Sequence, residues 1–63
     1  MKLLGKLNAR SLMVGDIIEA SGVVSTIESI SFEGMLVSIE TDMVHPFNLC
    51  YFEKVKVYSS LGE

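Results

Sequence analysis

GDIIEASGVVSTIESISFEGMLVSIET, residues 15–41, is the stretch whose reading decides the fold. It reads as three short strands joined by two tight turns, a β-meander. Ser21-Gly22 and Glu33-Gly34 mark the turns, and the runs between them are dense in Val, Ile, Thr and Ser, which suit a pleated, half-buried surface. Met35, Val37 and Ile39 alternate with Ser38 and Glu40, predicting a strand with one buried face, and Leu36 interrupts the outer face. The run over 23–31 is less regular, because Val24, Ile27 and Ile30 stand three apart. Its crowd of β-branched and hydroxyl residues, closely bracketed by Gly22 and Gly34, argues against a helix. A β-bulge or sharp bend within 26–29 would shift the facing by one residue and turn Ile27 and Ile30 to the same side.

Outward from this meander the signals weaken. Leu12, Val14 and Gly15-Asp16 lead into the first clear strand at Ile17-Ile18, and Asp16 reads as turn chemistry rather than a catalytic carboxylate. Residues 1–10, MKLLGKLNAR, set Leu3, Leu4 and Leu7 at helical spacing, with Lys2, Lys6 and Arg10 on another face. Gly5 weakens such a helix by about 1 kcal/mol, and so short a helix does not stand without packing. The expectation is a short helix or a disordered segment laid over an open end of the domain. Downstream, Pro46 limits 43–46 to a short strand. Residues 47–52, FNLCYF, are expected to make a single 3₁₀ turn, and 53–59 the last strand, with Val55 and Val57 inward and Lys54, Lys56 and Tyr58 outward. The domain is thus expected over 11–59, with 60–63 as a tail.

Taken together, the Leu12-x-Val14-Gly15-Asp16-Ile17-Ile18 segment, the Gly22-Val23-Val24 turn into a long bent strand, the glycine hairpin and the proline-containing crossing resemble an SH3-like barrel over 12–58. The same residues resemble short uncharacterised proteins of bacterial genomes and their phages. The segment VGDII…GVVSTI is also similar to the opening of small translocase-accessory barrels, whose usual membrane helix this chain lacks. The resemblance implies an all-β fold, a small five-stranded antiparallel SH3-like barrel with one 3₁₀ turn before the last strand. It carries over no functional residue.

Sixty-three residues allow one domain, and a chain so short buries only about 60% of the surface its unfolded form exposes. Against that limit it is 49% hydrophobic and 21% charged, with a mean hydropathy of +0.45. So small an interior is too little for that many apolar side chains, and some are expected at the surface as an interface. The candidate interface comprises Leu36, Tyr51, Tyr58, Leu3, Leu4 and Leu7. The single Cys50 forms no internal disulfide and favours a reducing compartment. No apolar run approaches the roughly 18 residues of a membrane span, and the expected location is cytoplasmic.

Chemistry finds no constellation here. His45 and Cys50 each stand alone, which offers neither a zinc ligand set nor an activated thiol, and Cys50 is expected to be a buried small hydrophobe. Glu40 and Asp42 form a weak cation pair at best. Phe47 and Phe52 are expected in the core, Tyr51 and Tyr58 partly exposed. A pI near 4.9 opposes nucleic-acid binding, leaving only a contact through Lys2, Lys6, Arg10, Lys54 and Lys56. The sequence therefore predicts a non-enzymatic module without cofactor, metal or small-molecule substrate, which self-associates or docks on a protein; a nucleic-acid-associated regulatory barrel is the alternative.

Overall fold

Two hairpin loops set the register of the central strands. Ser21 and Gly22 both have positive φ, 52° and 78°, and they join Ala20 to Val23, which pair directly. Two positive-φ residues between paired strands make a type I′ loop, whose hand matches the twist of the strands it joins. In the second loop Gly34 is at 60° and connects, with Met35, the paired residues Glu33 and Leu36. Positive φ at the first central position alone is the type II′ pattern, with glycine where it demands it.

The computed structural model describes residues 2–59. Its strands are β1 (Lys2–Asn8), β2 (Ile17–Ala20), β3 (Val23–Glu33), β4 (Leu36–Thr41), β5 (Phe47–Cys50) and β6 (Lys54–Ser59), with a 3₁₀ turn at Ala9–Ser11. They form one antiparallel sheet in the order β1-β6-β2-β3-β4-β5. The all-β expectation holds. The expected closed five-stranded barrel does not: the sheet has six strands and stays open, with β1 and β5 at its ends.

Two local readings account for the difference. Residues 2–8 are strand β1 rather than helix, because pairing with β6 satisfies the backbone groups along a whole strand edge, whereas a helix containing Gly5 would have had to stand almost unpacked. Residues 47–50 are strand β5 rather than a 3₁₀ turn. Phe47 and Leu49 alternate with exposed Asn48 and Cys50, a period-two pattern hidden in the sequence by the adjacent aromatics Tyr51 and Phe52. The 3₁₀ turn lies instead at Ala9–Ser11, and residues 60–63 lie outside the described residues.

The bend foreseen within 26–29 is present. In the β3–β4 ladder Ile27 pairs with Thr41 and Ser29 with Glu40, leaving Glu28 as the extra residue of a bulge. Ile27 is fully buried and Ile30 packs on the core. The core is Ala9, Leu12, Ile18, Ile27, Val37, Ile39, Val55 and Val57, drawn from both halves of the bent sheet, with Ile30, Phe47, Leu49 and Tyr51 against it. Met13 N–H donates to Asp16 Oδ2 (2.9 Å) and Asp16 N–H to the Met13 carbonyl (3.1 Å), so Asp16 is spent on the turn before β2.

One core group is unsatisfied: Ser25, 4% exposed, has a buried Oγ without a hydrogen-bond partner among the described residues. An orphaned polar group costs about 1–3 kcal/mol. Ser25→Ala is therefore expected to stabilise by about 1 kcal/mol, seen as a higher urea midpoint at unchanged slope. Gly34→Ala should do the reverse. A Cβ there meets no atom within 4 Å, so the loss, about 1–2 kcal/mol, comes from left-handed backbone strain alone. An unchanged midpoint for Gly34→Ala would contradict the type II′ assignment.

Candidate functional site

The six candidate interface residues do not form one patch. Leu3 pairs directly with Tyr58, and Tyr58 with Ile17, so Leu3, Tyr58 and Ile17 form a row on the outer face of the β1-β6-β2 half. Leu7 faces the other way, opposite Val55, because the β1–β6 register shifts between Leu3 and Gly5 and leaves Leu4 as the extra residue. Leu36 and Tyr51 lie at the far half of the sheet. Leu36 pairs with Cys50 on the outer face, while Tyr51, whose N–H donates to the Met35 carbonyl (2.8 Å), continues the inner face.

Phe32, outside the candidate interface, belongs with Tyr51, and so does Met35, which the alternation placed on a buried strand face but which lies in the hairpin loop, exposed. Phe32 stands opposite Val37, and Val37 opposite Leu49, so this inner-face row begins in the core and runs out to a half-exposed phenylalanine at the hairpin end. Met35 is equally open. Phe52, expected in the core, is exposed and meets Tyr51 edge-to-face, centroids 5.4 Å apart. Cys50, expected to be buried, is exposed as well. Their causes differ: Cys50 is the outward-facing end of β5, opposite Leu36, and Phe52 lies in the turn after that strand. The guanidinium of Arg10 lies 5.9 Å from the Tyr51 ring centroid, near the outer limit of a cation–π contact.

A concave seam lies beside the short β2–β6 pairing, inside the open sheet. β2 and β6 pair only at Ile17–Tyr58 and Ile18–Val57; beyond these they part, and a cleft of about 370 Å³ opens among β1, β2, β5 and β6. Its apolar lining is Ala20, Phe47, Leu49 and Val55, and its charged lining Lys6, Lys54, Lys56, Glu19 and Glu53. Lys6 stands directly opposite Lys56. Like charges in that position destabilise a strand pair, and no ion pair within the described residues offsets them.

The two carboxylates of the cleft are engaged elsewhere. Glu53 Oε1 accepts from Cys50 N–H (3.3 Å), and Glu19 Oε1 accepts the Tyr58 hydroxyl (2.6 Å). That hydrogen bond, with some desolvation and the carboxylate's charge, raises the Tyr58 pKa above the ordinary tyrosine value. The bond needs the neutral phenol, so whatever it adds to stability is present below the ordinary tyrosine pKa and is lost as pH rises through the raised one.

Both sheet edges are blunted. β1 carries Lys2, Lys6 and a bulge, and β5 is four residues long, follows Pro46, and has its Cys50 amide capped by Glu53; such devices oppose edge-to-edge pairing. Among the described residues no group of three or more His, Cys, Asp or Glu is arranged to hold a metal ion, and no helix is long and apolar enough to cross a membrane. No protein-family model, curated protein or solved structure matches the chain.

A spectrophotometric titration at 295 nm checks the Tyr58 assignment. Glu19→Gln removes the charge and weakens the acceptor, so the alkaline tyrosinate transition should move to lower pH than in the wild type. Coincident titrations would show that Glu19 does not hold the Tyr58 proton.

Proposed function

We propose that this protein is a non-enzymatic interaction module that associates, with copies of itself or with a protein partner, through apolar side chains on its surface. One observation supports the reading above the rest. Among the described residues eight hydrophobic ones are buried, while eleven large ones are exposed: Leu3, Leu4, Leu7, Met13, Val14, Val24, Phe32, Met35, Leu36, Met43 and Phe52. Single exposed apolar residues are ordinary, but here the exposed set outnumbers the core. The blunted edges direct association to side-chain surfaces rather than to strand addition. We assign no catalytic role to His45, Cys50 or Asp16, and place the protein in the cytoplasm as part of the same proposal.

A second reading, a nucleic-acid-associated regulatory module, has one observation in its favour. The basic residues Lys2, Lys6, Lys54 and Lys56 all fall on the adjacent strands β1 and β6. The net charge of −3 opposes it. Salt-sensitive anisotropy of a labelled oligonucleotide would favour this reading, and its absence at low ionic strength would end it.

Size-exclusion chromatography with light scattering, over rising concentration, tests the first reading. The wild type should exceed its 6.9 kDa monomer mass. Leu36→Asp, at an exposed outer-face position, should weaken association roughly ten- to a hundredfold, as expected for losing one buried leucine; because it sets a second carboxylate opposite Glu33, circular dichroism checks that the variant keeps the fold.

A further inference from the structure

The protein is elongated, 36 × 20 × 19 Å, and its longest strand, β3, ends in a hairpin whose residues 31–36 are all exposed. At that tip Glu33 stands opposite Leu36 on the outer face, and the half-exposed apolar side chains Phe32 and Met35 lie on the inner face, so an inserted tip presents charge on one side and apolar surface on the other. Most of the other described carboxylates that could meet a cation have structural work: Asp16 and Asp42 accept from the amides of Met13 and Thr26, Glu53 from that of Cys50, and Glu19 from Tyr58. Glu28, Glu33 and Glu40 have no such bond, and of these only Glu33 lies at the hairpin tip. The seam is its complement, with apolar Phe47, Leu49 and Val55 beside three lysines and the already engaged Glu19 and Glu53; two of the lysines form an unfavourable like-charge pair that an incoming carboxylate would relieve.

Resting on the self-association reading, we propose that the occupant of the seam is the β3–β4 hairpin tip of a second copy of this chain. Glu33 meets Lys6, Lys54 and Lys56, and Phe32 and Met35 cover the apolar lining. Tip and seam are different surfaces. The contact therefore passes from one copy to the next, closing as a reciprocal pair or ring, or running on as a filament. Its charged part makes association salt-sensitive.

Charge exchange tests this in the full-length chain. Glu33→Lys and Lys56→Glu are both substitutions at exposed positions, and circular dichroism checks that each variant keeps the fold. By light scattering at low salt, each variant alone should associate about tenfold more weakly than the wild type, or less still. An equimolar mixture of the two should recover association, because every tip in the mixture then has an oppositely charged seam available. A wild type that associates while both variants do so equally well would overturn the tip-in-seam contact and leave the self-association reading standing. A wild type that stays monomeric at millimolar concentration and low salt would overturn both.

Discussion

The single extra residue in β3 is the constraint on which the rest of the structure depends. β3 contributes to both halves of the sheet, pairing with β2 through its first residues and with β4 through its last. Without an insertion, Ile27 and Ile30 would face opposite sides, and the two half-sheets could not share one interior. The bulge at Glu28 restores a common face and bends the sheet there. The backbone around it is held from both sides. Ile27 N–H donates to the Asp16 carbonyl and Gly15 N–H to the Ile27 carbonyl, while Thr26 exchanges bonds with Asp42, its N–H to Oδ1 and its carbonyl from the Asp42 amide.

A sheet bent once encloses a small interior, and that has consequences outside it. Among the described residues eight apolar side chains fill the core and more than that number are left at the surface, which is the surface-to-volume limit of a very short chain expressed residue by residue. Exposure on that scale invites strand-to-strand association, and the edges answer it with lysines, a bulge, a proline and a capped amide. What stays open is side-chain surface.

Charge is partitioned by the same topology. Lys2 and Lys6 on β1 are brought beside Lys54 and Lys56 on β6 by the pairing of the first strand with the last. Asp16, Asp42 and Glu53 satisfy backbone amides at turns and at the bulge. The acidic net charge thus coexists with a locally basic seam, a distribution that total composition does not disclose.

From the sequence alone the all-β class, both glycine hairpins, the bulge within 26–29, the inward Val37, Ile39, Val55 and Val57, and the excess of apolar residues were all legible. These follow from local rules: positive-φ turn positions, period-two alternation, and the ratio of apolar residues to chain length. Long-range pairing was not legible. That β1 is a strand depends on a partner some fifty positions away, and helical spacing of Leu3, Leu4 and Leu7 pointed elsewhere, because a ten-residue segment takes its structure from the edge it meets. The open seam, the facing of Lys6 against Lys56, and the exposure of Phe52 and Cys50 were decided only when six strands met around one bend, since register and sheet closure are properties of the pairing rather than of any single segment.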